Sequence, residues 1–190
     1  MRRVLSVLGG LACLTLATSA SAYEIDPLTR QLVMPSRSFV PQAAEIPRQV
    51  VSFSGRYAPG TVVVSTSERR LYYVLGNGQA IRYGVGVGRP GFTWGGTKQI
   101  TMKREWPDWR PPAQMLRRRP DLPRHMKGGL DNPLGARALY LGSSLYRIHG
   151  SNEPESIGQA VSSGCIRMLN EDVVDLYSRV RVGSRVVVLR

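Results

Sequence analysis

The segment that most constrains this chain is Arg70–Val87. Two apolar-rich runs, Arg70–Leu75 (RLYYVL) and Ala80–Val87 (AIRYGVGV), flank Gly76-Asn77-Gly78. Asn-Gly accepts positive φ at both central turn positions at little cost, so the runs are expected to close as an antiparallel hairpin. Further short strands are expected at Thr61–Ser65, Gln99–Lys103, Arg137–Leu141, Ser144–His149 and Arg185–Leu189. One helix stands out. Asn170 is a good N-cap, Glu171 and Asp172 suit the positive end of the dipole, and Val173, Leu176, Tyr177 and Val180 keep i, i+3, i+4, i+7 spacing. Residues 106–135 hold Pro107, Pro111, Pro112, Pro120, Pro123 and Pro133 and show no regular period, as expected of a lid or binding loop. With 20 glycines, 13 prolines and 7% aromatic residues, many turns and few long helices follow. The expected fold is mainly β: a single β-rich domain at 59–190 with one clear helix and a long lid loop.

The N-terminus speaks to compartment. Arg2 and Arg3 precede an uncharged apolar run from Val4 to Ala17, and Ala20-Ser21-Ala22 is an A-x-A cleavage site. Residues 1–22 are therefore read as a secretory signal peptide. Its apolar run is shorter than the roughly 20 residues needed to span a bilayer, and the mature chain offers no second candidate span. Residues 23–58, with Pro27, Pro35, Pro41 and Pro47, read as an extended N-terminal arm. The formal charge of +13 falls to +11 without the signal's two arginines. Such a charge favours polyanions. Export argues against nucleic acid and turns the expectation toward the cell envelope.

Of the two cysteines, Cys13 lies in the signal, so the exported chain keeps only Cys165 and no intramolecular disulfide is possible. Cys165 follows Gly164, which lets backbone approach a ligand closely. If residues 165–167 are extended, Arg167 shares its face and favours the thiolate. A base is needed, and the histidines are His125, in the basic loop, and His149, at the end of an expected strand. His149 is better placed, since regular elements hold geometry more tightly than loops. Gly86-Val87-Gly88-Arg89-Pro90-Gly91 has the form G-x-G-x-x-G, yet no helix signal follows, so it is read as glycines permitting tight packing rather than a nucleotide fingerprint. The loop residues Arg110, Arg117, Arg118, Arg119, Arg124 and Lys127 form either a solvated cationic face or a lid that draws in carboxylate-rich substrate. Trp94, Trp106 and Trp109 either supply binding surface or anchor loops. No metal-ligand cluster stands out.

Ile148-His149-Gly150-Ser151-Asn152-Glu153-Pro154, then Ile157-Gly158, then Ser162-Ser163-Gly164-Cys165-Ile166-Arg167-Met168 with Asn170, resembles the L,D-transpeptidase (YkuD-domain) family, and Asn132-Pro133-Leu134-Gly135 matches upstream. The similarity covers about residues 59–189. It implies a β-rich sandwich or barrel acting on peptidoglycan stem peptides without a cofactor. A cysteine attacks the carbonyl of the third stem residue, usually meso-diaminopimelate, and expels D-alanine. The thioester then passes to an amine, giving a 3→3 cross-link or attaching an envelope protein; some members use water or a free D-amino acid. By position, Cys165 is the nucleophile and His149 the base. The Gly164 and Cys165 N–H groups form the oxyanion hole, supported by Ser163. Arg167 either organises the site, holds a substrate carboxylate or makes a structural salt bridge. Gly150, Ser162, Trp109 and Arg124 are expected at the substrate. Many members carry a second histidine where this chain has Ser163, so His149 acts here as sole base. The resemblance places the exported chain in the periplasm of a Gram-negative cell.

The nearest rival is an L,D-carboxypeptidase with water as acceptor. A papain-like peptidase orders Cys before His, the reverse of His149 and Cys165, and a sortase lacks this Cys-to-Arg spacing. From another class, a noncatalytic basic wall-binding protein would use the +11 charge and leave Cys165 structural.

Overall fold

The computed structural model describes residues 46–190, together with the backbone pairing of Glu24–Ile25 (β1) with Leu32–Val33 (β2). The expected signal peptide lies outside the described residues, as does much of the arm. The remaining strands are Gln49–Ser52 (β3), Val62–Ser65 (β4), Arg70–Gly76 (β5), Gln79–Gly84 (β6), Val87–Gly88 (β7), Gly96–Glu105 (β8), Arg137–Leu141 (β9), Arg147–His149 (β10), Ala160–Ser162 (β11), Ile166–Arg167 (β12) and Arg185–Leu189 (β13). Ala113–Arg118 (α1) and Asn170–Arg179 (α2) are the α-helices. Nine strands form one sheet in the order β12-β10-β9-β8-β13-β4-β5-β6-β3, and β7 pairs with β11 separately. The mainly β expectation holds.

The hairpin forms as expected. Asn77 and Gly78 adopt φ of 51° and 71°, and Tyr73 pairs with Ile81 across the ladder. The centre of the sheet is the parallel pair β4 and β13, with Val62 opposite Val186 and Val64 opposite Val188. Val62–Ser65 is buried along its whole length. A continuous β-branched run with no polar alternation suits a strand covered on both faces. Tyr83, Leu71, Ile100, Leu139, Ile148, Ile166 and Met168 join these valines in one core.

Helix α2 closes that core with Val173, Leu176 and Val180. Its terminus differs from the expectation in one respect. Leu169 occupies the cap position without a side-chain bond, and Asn170 is already helical. The Asn170 side chain instead accepts from the Ala136 N–H at 2.9 Å and donates to the Ser151 carbonyl at 3.1 Å. It thus brackets the start of β9 against the chain leaving β10. At the other end, Lys103 Nζ of β8 donates to the carbonyls of Tyr177 and Val180, both at 2.7 Å, satisfying acceptors that a helix end leaves open.

Three further expectations are revised. The strand expected over Ser144–His149 is confined to β10, because Ser144 Oγ donates back to the Leu141 carbonyl at 2.5 Å and holds residues 142–146 in a turn. The loop at 106–135 contains α1, and its base is gathered by Asn132, whose Nδ2 donates to the carbonyls of Pro107 and Lys127 while Oδ1 accepts from the Leu134 N–H. The arm is not wholly loose: β3 adds an edge strand to β6, with Val50 opposite Ile81. Arg48, just before it, reaches Asp172 and Asp175 of α2 at 3.7 and 3.5 Å.

Burial pushes the Asp172 carboxyl up to about 7, with Glu171 adding to the effect and Arg48 only partly opposing it. The folded chain therefore keeps a proton that the unfolded chain releases above its ordinary value of 3.8. Asp172 lowers stability as pH rises between those values, the reverse of a salt-bridged carboxylate with a depressed pKa. Asp172→Asn is expected to remove this decline, read as urea midpoints at about pH 5 and about pH 8.

Candidate active site

The reactive edge is built from three strands in register. Ile148 pairs with Ile166 in parallel and with Leu139 in antiparallel fashion, and all three side chains are buried in the core. Side chains alternate along a strand. The residues flanking this row therefore point to the other face. His149 lies between Arg167 and Ala138 in one row. Two residues before His149, Arg147 pairs with Tyr140, and its backbone and guanidinium lie close to Cys165. Cys165 directly precedes β12, two residues before the Arg167 that pairs with His149.

The turn before Cys165 is held by hydroxyl and indole. Buried Ser162 donates from Oγ to the Cys165 carbonyl at 2.6 Å and accepts from the Gly164 N–H at 3.0 Å. Gly164 has φ of 107°, and a Cβ there would meet the Tyr146 ring at 2.6 Å, so glycine is required twice over. Trp94 Nε1 donates to the Gly164 carbonyl at 2.7 Å, and its ring stacks on Tyr146 with centroids 4.4 Å apart. Trp94 is therefore an anchor of the turn before Cys165. The G-x-G-x-x-G stretch packs here as expected: a Cβ at Gly86 would meet Arg167 Cβ at 3.3 Å, and one at Gly88 would meet Gly164 Cα at 3.3 Å.

Several expected roles change. The Gly164 N–H is already engaged by Ser162, so of the expected oxyanion donors only the Cys165 N–H has no partner among the described residues. Ser162 is committed to the turn rather than open to substrate. Gly150 is buried beneath Asn170 and donates its N–H to the Arg137 carbonyl. Arg167 makes a 2.5 Å ion pair with Glu153, which fulfils the salt-bridge reading of that residue. Ser163 Oγ accepts from Arg89 Nη1 at 3.2 Å. The Arg89 guanidinium also covers the Phe92 ring at 4.1 Å, and Arg118 of α1 approaches the same ring at 5.3 Å, linking the lid to the nucleophile turn. Trp109 pairs its backbone with Met126, Arg124 is exposed, and His125 meets Asp108 at 2.9 Å, all within the lid. None of these three is brought to Cys165 by a hydrogen bond or ion pair among the described residues.

Electrostatics separate the two central groups. His149 is 5% exposed, and its Nδ1 lies 2.5 Å from the Gly150 carbonyl. A carbonyl only accepts, so Nδ1 carries the proton and Nε2 the lone pair. Burial lowers the imidazole to about 4, against the Gly150 carbonyl and with help from Arg167 and Arg147. It is neutral at pH 7 and able to take a proton. Burial pushes the Cys165 thiol up, while the backbone and guanidinium of Arg147, and then Arg167, pull it down. The thiol lies 3.7 Å from the Leu145 carbonyl, and among the described residues no hydrogen bond yet joins it to His149. Arg147, Arg89 and Glu153 were not singled out from sequence. Arg147 had a readable signal, since it stands two residues before His149 on an expected strand and so shares its face.

Ser162→Ala removes two hydrogen bonds from one turn and is expected to cost about 1–3 kcal/mol in urea unfolding. The imidazole has the opposite sign to Asp172. The unfolded chain binds a proton on His149 that the folded chain refuses between 6.5 and about 4, so its stabilising contribution is lost as pH falls through that window. His149→Gln is expected to flatten this acid-side loss in urea midpoints.

Residues 59–188 match the family described as YkuD, the L,D-transpeptidase catalytic domain. The chain is 36% identical over 165 residues to "Probable L,D-transpeptidase YbiS" of Escherichia coli K12, covering 78% of this chain and 51% of the relative. It thus spans about half the length of that curated relative. Among solved structures, a Brucella melitensis protein described as "Probable carnitine operon oxidoreductase caia" is 46% identical, with a TM-score of 0.51 over 75% of this chain and 93% of that one. An L,D-transpeptidase from Mycobacterium smegmatis has a TM-score of 0.55 over 68% of this chain and 58% of that one, and at 19% identity it speaks to fold alone. The chain belongs to the L,D-transpeptidase catalytic domain (YkuD) family.

Proposed function

We propose that the chain is an exported peptidoglycan L,D-transpeptidase that works through a Cys165 thioester. The observation that carries this reading is a buried, neutral His149 at the end of β10, paired with Arg167 two residues after Cys165 on the adjoining strand. His149 takes the Cys165 proton, and the sulfur attacks the carbonyl between the third stem residue and the terminal D-alanine. The Cys165 N–H is the donor available to the oxyanion. Collapse breaks the C–N bond, the imidazolium returns its proton to the departing D-alanine amine, and the acyl group stays on sulfur. An amine of a second stem, or of an envelope protein, then attacks the thioester, gives its proton to His149 and regenerates the thiol.

The cationic lid suits a carboxylate-rich stem. Arg124 and Trp109 are the lid residues assigned to substrate, and Ser163 with Arg89 supports the nucleophile turn from the side where many relatives carry histidine. Cleavage after residue 22 and residence in the periplasm complete the proposal, with residues 23–58 as an arm before the catalytic domain. No cofactor is required by this chemistry.

The test is incubation of the mature chain with a diaminopimelate tetrapeptide muropeptide, read by mass spectrometry. The expected product is a cross-linked dimer with loss of D-alanine. Tripeptide alone makes the chain a carboxypeptidase; unchanged substrate with folded protein supports a wall-binding role instead. Cys165→Ala is expected to abolish turnover and His149→Gln to slow it by about 100-fold or more. A carbapenem is expected to add one covalent mass at Cys165, absent in Cys165→Ala.

A further inference from the structure

Four observations converge on Arg147. It pairs with Tyr140, whose ring lies 4.9 Å from its guanidinium carbon, and its backbone and guanidinium lie close to Cys165. Its Nη1 donates to the Leu145 carbonyl at 3.1 Å, the same oxygen that the Cys165 thiol approaches at 3.7 Å. Its Nε is buried and has no hydrogen-bond partner among the described residues. Arg167, the guanidinium favoured by spacing, is already held by Glu153.

These facts have a chemical consequence. While Cys165 is protonated, its S–H points to the Leu145 carbonyl. Once the proton leaves, sulfur and oxygen face each other with lone pairs, which is repulsive unless a donor stands between or beside them. Arg147 already binds that oxygen through Nη1 and carries an unpartnered N–H, at Nε, on the same guanidinium. A buried donor without a partner costs free energy, which is recovered when an acceptor with negative charge appears.

We propose that Arg147 is a positioning residue for the reaction: its guanidinium holds the Cys165 sulfur in place and favours its charged form. The role rests on reading Cys165 as the nucleophile. Arg167 contributes less, because Glu153 offsets its charge. The other titratable and charged groups on the adjoining elements are His149 at the end of β10, Arg89 on Ser163, and Lys98 near the Trp94 and Tyr146 rings at 5.5 and 5.9 Å.

The test is the pH dependence of Cys165 alkylation by iodoacetamide, which needs no turnover. It is run on the full mature chain and on Arg147→Gln, Arg147→Lys and Arg167→Gln, each checked for folding by circular dichroism. Arg147→Gln is expected to raise the alkylation midpoint by about one pH unit, so the rate below the midpoint falls about tenfold. Arg147→Lys, which keeps the charge, is expected to retain most of the wild-type position, and Arg167→Gln to shift it less than Arg147→Gln does. A purely structural role for Arg147 would leave the midpoint of folded variants unchanged, and that result overturns the proposal. A larger shift in Arg167→Gln than in Arg147→Gln also overturns it. If wild-type protein forms no cross-link yet the Arg147→Gln midpoint moves, the proposal stands and the transpeptidase reading fails; cross-linking with coincident midpoints gives the reverse.

Discussion

Burial of Ile148 against Ile166 decides which face of the two edge strands meets the core, and so which face carries polar chemistry. The two strands are only three and two residues long. A slip of one residue in their parallel register would exchange the faces, sending His149 and Cys165 inward and the isoleucines outward. Short strands do not set register well by themselves. Here it is reinforced from both sides: the Met168 N–H donates to the His149 carbonyl, and Gly86 exchanges hydrogen bonds with Arg167 in both directions. Asn170 adds the third restraint by tying Ala136 to Ser151.

The polar face then divides its labour by burial. His149 is deep enough to stay neutral, Cys165 is partly accessible, and the arginines beside them are held by different partners. Arg167 is neutralised by Glu153, Arg89 is stacked on Phe92, and Arg147 keeps an unpaired donor. Three guanidiniums around one turn are therefore not three equal charges. What each does depends on which acceptor has already claimed it.

Much of the scaffold was legible because local signals and tertiary context agreed. The Asn77-Gly78 turn, the valine runs of β4 and β13, and the spacing of Val173, Leu176 and Val180 all formed as read. The strand that ends at His149 was legible from its pattern. The failures share a cause: a side chain with two available partners took the distant one. Asn170 reads as a local cap, yet it serves Ala136 and Ser151, far away in sequence. Arg167 reads as the companion of Cys165, yet Glu153 holds it. Ser144 reads as part of a strand, yet its hydroxyl folds back to Leu141. The Gly164 N–H reads as an oxyanion donor, yet Ser162 is closer. Nothing in a one-dimensional pattern ranks these competing acceptors.

The sheet ends differently on its two sides. At one edge β12 is two residues long and presents little unpaired backbone. At the other, β6 is six residues long and is covered by β3, which lies outside the residues that match the family. Without that cover, β6 would offer an open row of N–H and carbonyl groups to any extended chain nearby. The last part of the arm therefore shortens the open backbone edge from six residues to four, and Arg48 fastens it to α2. A chain trimmed to its family boundary would keep the His149 edge and present the longer β6 edge in place of β3.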